Sequence, residues 1–323
     1  MDADFYTRGV KMKKIRTVTG EIEISQLNYV LMHEHLKIGY AGWHLDPFSP
    51  KYIKEEVKER AVDLLSELKS HGVNCIVDPC PMELGRDPEF MAEVSQLSGV
   101  YIVCSTGFDL EERGNLLAIR RLSTEQILEI YLKEIEDGIG ETGIRPGIIK
   151  AATGYNAITS YEEKCLTAAS MAASQSGLSI ITHTEKGTMG LEQVRLFNQF
   201  GVASNKCLIG HCCANHDLSY HVGIMEEGAY VGFDRFGNNF FAKDEMRIGT
   251  LTGLIHMGYS KQLMISCDSV CHYMGRMPFP KDSIKNWNPL YIFNGVIPSL
   301  REKGVTMEQI NTILSDNPKR YFS

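Results

Sequence analysis

Eight short apolar runs, spread along the whole chain and separated by longer amphipathic stretches, constrain this sequence more than any other feature. They fall at 29–35 (YVLMHEH), 73–78 (VNCIVD), 100–106 (VYIVCST), 147–151 (GIIKA), 178–184 (LSIITHT), 207–212 (CLIGHC), 229–234 (AYVGFD) and 263–268 (LMISCD). Runs this short and this continuously apolar read as strands covered on both faces, the environment of a parallel sheet. The stretches between them carry helical spacing: Ile53, Val57, Ala61, Leu64 and Leu68 recur at intervals of three and four before Gly72. Capping boxes mark further helix starts at Ser123 with Gln126, Ser160 with Glu163 and Thr306 with Gln309. In each, a hydroxyl and a Glu or Gln three residues on satisfy amides that the first helical turn leaves free. Eight strands alternating with helices predict an α/β chain closed as a (β/α)8 TIM barrel, one domain over 1–323, with residues 11–26 forming a small N-terminal β-hairpin under the barrel. An open doubly wound sheet fits less well, because MHEHLKIGYAGW after the first strand lacks a Gly-rich phosphate loop.

The charge balance narrows the partners. With 33 Lys and Arg against 40 Asp and Glu, the formal net charge is −7, so no basic field attracts nucleic acid or an anionic membrane. A small-molecule partner is expected. The 9 cysteines form an odd set without repeated CxxC spacing, which fits buried thiols in a reducing compartment. The N-terminal segment has no apolar core of a leader, and no run is long enough to span a bilayer. A cytoplasmic enzyme is the expectation.

Chemistry-bearing side chains gather at the predicted strand ends, where barrel enzymes build their sites. His33 and His35 are two residues apart, so an extended chain presents both to one face, and Glu34 to the other as a structural residue. One HxH among 10 histidines carries little weight alone. Lys150 lies within an apolar run, where an unpaired ammonium is costly, and reads either as chemically engaged or as reaching to the barrel mouth. His183, His211 and Asp268 end the fifth, sixth and eighth runs. Nitrogen and carboxylate donors of this kind suit Zn, Mn, Fe or Co, not a Cys-rich structural zinc site.

Taken in order with VTGEI, MHEHL, GYAG, GRDPEF, TGIRPGIIK, ITHTEKGTMG, LIGH, GFDRFG, DSVCHYMGR and DNPKRYF, these residues make the chain resemble the phosphotriesterase family of the amidohydrolase superfamily, in particular the phosphotriesterase-like lactonases. The likeness covers nearly the whole chain. It implies two divalent transition metal ions, zinc first, with His33, His35 and Asp268 on one, His183 and His211 on the other, and Lys150 bridging both as a CO2-derived carbamate. It implies a metal-bridging hydroxide that attacks a lactone or related carboxylic ester, Asp268 as proton acceptor, promiscuous phosphotriesterase activity and a homodimer. Arg235, Asp109 and Tyr273 match the substrate pocket by position.

The chain also departs from that pattern. Asp109 stands where the lactonases carry an aromatic residue. Cys267 stands where some relatives place a histidine, leaving His272 or His216 to serve any proton relay. The substrate implied is smaller or more polar than an acyl-homoserine lactone. Alternatives are a hydrolase of a small polar, sugar-type or phosphorylated lactone or phosphoester, and a non-catalytic ligand-binding barrel. A metal-dependent nuclease is opposed by Lys150 and by the net negative charge.

Overall fold

A computed structural model of the chain describes residues 13–114 and 117–323. Strands β1 (Lys14–Thr17) and β2 (Gly20–Glu23) pair antiparallel as the expected hairpin, of which residues 11 and 12 lie outside the described residues. Then follow β3 (Tyr29–Leu31), β4 (His35–Ile38), β5 (Val73–Asp78), β6 (Tyr101–Gly107), β7 (Ile148–Thr153), β8 (Ser179–Thr184), β9 (Cys207–Ile209), β10 (Tyr230–Phe233), β11 (Leu263–Ile265) and β12 (Val270–Tyr273). Eight of these form one sheet in the order β3-β5-β6-β7-β8-β9-β10-β11, with every neighbouring pair parallel. Helices lie between the strands, and the sheet curls into a nearly closed (β/α)8 barrel. Among the described residues no helix is long and apolar enough to cross a membrane.

Side-chain alternation along the strands divides the core in two. Val30, Val77, Val103, Ile148, Ile181, Leu208, Tyr230 and Met264 fill the barrel interior, one from each strand, and Ile15 of the hairpin and Tyr321 near the C-terminus join their cluster. Their neighbours Leu31, Ile76, Ile102, Ile149, Ile180, Ile209, Val231 and Ile265 pack into the larger cluster shared with the helices. Each such fully buried side chain contributes about 1.5–3 kcal/mol.

The seam between first and last strands departs from simple alternation. No ladder joins β11 to β3; instead the chain leaves β3 at Leu31, resumes as β4, and pairs in parallel with β12. Two backbone bonds complete the seam, Asp268 N to His33 O at 3.0 Å and His35 N to Ser269 O at 2.8 Å.

Local expectations hold with two adjustments. Helix Lys54–Ser70 buries Val57, Ala61, Leu65 and Leu68, a stripe centred on Ala61 that leaves Leu64 and the exposed Ile53 at its edge. The boxes at Ser123 and Thr306 form as expected. The third belongs to Thr159 and Glu162, one residue before the expected Ser160 and Glu163. Both pairs fit the local pattern, and tertiary structure selects between them: Glu162 is buried and its Oε1 also accepts the Glu111 amide at 3.2 Å.

Gly107 places the end of β6. Its φ is +122°, and a Cβ there would lie 2.0 Å from the Lys150 carbonyl oxygen, so only glycine lets β6 run this close to β7. Gly107→Ala is expected to cost about 3 kcal/mol or more, because backbone strain and a backbone clash act together. Urea unfolding of the purified variant checks this through its midpoint.

Candidate metal centre and active site

The interior alternation continues upward into the site. Two residues beyond Ile148 comes Lys150, and two beyond Ile181 comes His183; Asp109, Asp234 and Asp268 extend the inner positions of β6, β10 and β11. Strict alternation from Val30 and Met32 would send Glu34 inward as well. The break after Leu31 changes this, and both His33 and His35 turn to the barrel mouth. His211 and Asp268 lie just past their strands in left-handed backbone, with φ of 60° and 49°. All six predicted ligands line one cavity of about 280 Å3, together with Asp109, Arg235 and Tyr273.

Three imidazoles are held by their outer nitrogens. His33 Nδ1 donates to Asp234 Oδ2, His211 Nδ1 to Asp234 Oδ1 and His35 Nδ1 to Asp78 Oδ1, each at 2.9 Å. Because a carboxylate only accepts, these bonds assign the tautomer and leave each Nε2 lone pair facing inward. Asp268 Oδ1 lies 3.5 Å from His33 Nε2 and 3.2 Å from His35 Nε2, and Oδ2 lies 3.8 Å from His211 Nε2. Donor atoms of His33, His211 and Asp268 all fall within 4.8 Å of one another. Lys150 Nζ is 3.5 Å from His33 Nε2. Converging imidazole and carboxylate donors with tied outer nitrogens fit a divalent transition metal.

His183 is held differently. Its Nε2 is 3.0 Å from Glu185 Oε2 and its Nδ1 3.1 Å from Arg113 Nη2, while its ring centroid lies 4.5 Å from that of His211. Gln193 Nε2 anchors the His183 carbonyl at 3.0 Å.

Electrostatics favour the ligating state for three of the four imidazoles. Burial lowers the pKa of His33, reinforced by Lys150; burial and Arg235 push His211 down to about 3; burial and Arg113 take His183 well below its usual value. These three imidazoles are therefore neutral, as metal ligands must be. Burial brings Lys150 down to about 8. Burial also opposes ionisation of Asp234 and Asp268, yet the hydrogen bonds from His211 and His33 to Asp234, and the His35 bond and Arg235 charge at Asp268, hold both carboxyls below the ordinary range. For His35, bonds to Asp268 and Asp78 overcome burial and raise its pKa.

Glu34 does not line the cavity, as expected of a structural residue facing away from the two histidines, and its structural role bears on this centre. Its carboxylate is buried; Oε1 accepts the Cys267 amide at 2.7 Å, and Oε2 accepts the Ser269 amide at 3.0 Å and the Ser269 hydroxyl at 2.6 Å. Glu34 thus grips both residues flanking Asp268 and offsets the strain of its left-handed backbone. Asp78, Asp234 and Arg113 were likewise absent from the predicted set. The signal for the first two was an acid ending a predicted strand, at 78 and 234.

Arg235 bonds the site acid itself, Nε to Asp268 Oδ2 at 3.0 Å, and its guanidinium stacks 4.1 Å from the Phe241 ring. Neither proposed relay histidine reaches the site. His272 faces Arg60 at 3.0 Å and the Tyr52 ring, and neither it nor His216 lines the cavity. In the β4–β12 ladder His272 sits beside Lys37 and Tyr273 beside Ile38; Ile38 and Tyr273 line the cavity, and Lys37 and His272 do not.

Buried histidines tied to carboxylates at the C-terminal mouth of a barrel define the class as a metal-centre enzyme fold. The chain belongs to the phosphotriesterase family, whose profile matches residues 13–322. It is 33% identical over 324 residues to a phosphotriesterase homology protein of Mycobacterium tuberculosis (strain CDC 1551 / Oshkosh), covering 96% of this chain and 98% of that one. It is 33% identical over 306 residues to an aryldialkylphosphatase of Saccharolobus solfataricus, covering 94% and 97%. A mutant of a phosphotriesterase-like lactonase from Deinococcus radiodurans superimposes with a TM-score of 0.92 at 34% identity, over 96% of this chain and 100% of that one.

Replacing Glu34 with Ala leaves two buried amides and a hydroxyl without an acceptor, at about 1–3 kcal/mol for each group left unsatisfied. The variant is expected to unfold at lower urea and to bind a divalent transition metal more weakly, with Glu34→Gln intermediate; denaturation and metal titration read the two effects separately. Glu83 generates a pH dependence. Burial, then Asp109, raises its pKa from 4.5 to about 8, so the folded state keeps a proton that the unfolded chain releases. Stability therefore falls as pH rises from about 4.5 to about 8. Thermal melts across that window should show a shallower decline for Glu83→Gln than for wild type, with Glu34, also raised to about 8, retaining part of the slope.

Proposed function

We propose that this chain hydrolyses a lactone or related carboxylic ester in a binuclear metal site, with promiscuous activity on phosphotriesters. The observation that carries the reading is the convergence of the His33, His35 and His211 Nε2 atoms on Asp268, each imidazole held from behind by a carboxylate. His33, His35 and Asp268 would hold one ion, and His183 and His211 the other. When bound, the two ions would polarise the ester carbonyl and lower the pKa of a water molecule towards neutrality.

The remaining work falls to the chain's own groups. Lys150, with a pKa near 8, holds a reactive fraction of neutral amine at mild pH. Addition of that amine to CO2, with loss of one proton, forms the carbamate, which replaces a buried cation by an anion between the two sets of ligands. Asp268 accepts the proton of the attacking water and delivers it to the alkoxide that leaves. Arg235 fixes Asp268 Oδ2 and keeps its carboxyl ionised and ready to accept. The two reactions are related because each passes through a centre with developing oxyanion charge.

Sequence relatives and structural neighbours named as aryldialkylphosphatase and lactonase support the reading. It carries with it zinc as the first choice over Mn, Fe or Co, a homodimer, and a cytoplasmic setting. A panel of lactones and esters tests it on wild type, Asp268→Asn and Lys150→Ala. Asp268→Asn should lower kcat by roughly 100-fold or more, and Lys150→Ala should lower bound metal as well as turnover. If neither substitution slows any reaction that the wild type catalyses, the assignment is wrong.

A further inference from the structure

Four imidazoles line the cavity, and one of them already carries a cation. Around His183, Glu185 Oε2 lies 3.0 Å from Nε2, while Arg113 Nη2 lies 3.1 Å from Nδ1 and 3.3 Å from Nε2. A carboxylate only accepts and a guanidinium only donates. With Nε2 engaged by Glu185, the proton belongs on Nε2, and Nδ1 keeps the lone pair that receives Arg113. His183 is thus reversed relative to His33, His35 and His211, whose Nδ1 atoms donate to carboxylates. The lone pair that His183 can offer a metal ion is the one Arg113 occupies.

A second bond from the same nitrogen tethers Arg113 there. Nη2 carries two protons, and it lies 2.8 Å from Asp109 Oδ1 as well as beside His183. Asp109 is buried, and its own amide is fixed on Glu83 Oε1 at 2.8 Å. The Arg113 side chain lines the cavity yet is 25% exposed, which leaves the guanidinium a path towards solvent. Lys150, 3.5 Å from His33 Nε2, becomes an anion in the proposed chemistry. Arg113 has no such conversion open to it, because a guanidinium stays charged. Two cations cannot share one lone pair, and at this separation inside a protein their charges repel strongly.

We propose that Arg113 is a built-in competitor for the second metal position: it holds His183 Nδ1 until an ion displaces it, and so weakens the second ion relative to the first. The set of His33, His35 and Asp268 fills first, since no guanidinium stands on either imidazole. The set of His183 and His211 fills only as Arg113 swings off His183 on its Asp109 tether. When metal is scarce, the chain is thereby held with a single ion. The proposal rests on the binuclear reading and adds to it the order of filling and the residue that sets it.

Equilibrium dialysis of the zinc-loaded full chain against a graded series of chelator, in bicarbonate buffer with bound zinc counted by mass spectrometry, reads both positions without any substrate. Zinc should leave wild type in two separable steps. Arg113→Met keeps the apolar length of the side chain and removes the charge. It should tighten the weaker step by about 10- to 100-fold, the range for a hydrogen bond to a charged group, and leave the tighter step within about twofold. Because Arg113→Met leaves Asp109 buried and unpaired, Asp109→Asn/Arg113→Met gives the same comparison if the single variant fails to fold. An unchanged weaker step, or equal tightening of both steps, overturns the competition alone. Retention of one ion or none by wild type and variants overturns the competition together with the binuclear reading. Two ions, a tightened weaker step and no hydrolysis of any lactone or ester support the competition and overturn the reaction assignment instead.

Discussion

The carboxyl of Glu34 reinforces the barrel seam, where β3 and β11 share no ladder and two backbone bonds join the two segments. At the mouth it reaches the Cys267 and Ser269 amides and the Ser269 hydroxyl. The same bonds hold Asp268 in left-handed backbone, between His33 and His35 on one side and Arg235 on the other. Architecture and chemistry meet in one side chain. An unpaired strand edge inside a barrel would leave amides without partners, and the group that satisfies them also aims the acid of the site.

Asp234 performs the corresponding task one strand away. Its two oxygens tie His33 to His211, and Oδ1 also accepts the His211 amide at 2.8 Å, supporting a second left-handed residue. In a medium of low polarity these charges are tolerable only as a network, because each acid is offset by imidazole N–H groups or an arginine. The inner nitrogens are free for a cation because the outer ones are occupied.

Around this centre the cavity wall is chemically uneven. Gly107 brings β6 against the Lys150 backbone, and two residues later the chain presents Asp109 with Glu83 beneath it and Arg113 beside it. An aromatic residue at that position would have continued the apolar lining. The charged pair makes the cavity two-faced, apolar at Phe240, Phe241, Phe279 and Trp287 and polar at the end of β6.

The barrel, its strand order and the convergence of His33, His35, Lys150, His183, His211 and Asp268 were legible in the sequence, because alternation with a period of two carries interior positions such as Ile148 and Ile181 directly onto Lys150 and His183. The capping box at Thr159 shows the limit of local reading: two boxes satisfied the same pattern, and a hydrogen bond from Glu111, distant in sequence, selected one. Glu34 shows it at the site: its position opposite the histidines was legible, but its partners at Cys267 and Ser269, more than two hundred residues on, were not. The partners of Glu34, Arg235 and Asp109 likewise depended on chains far apart in sequence. The sequence by itself determined that the chemistry-bearing residues sit at strand ends; only the tertiary structure decided that His33 and His35 turn to the mouth and how all of them are held there, because hydrogen bonds between strand ends depend on how the barrel seam closes.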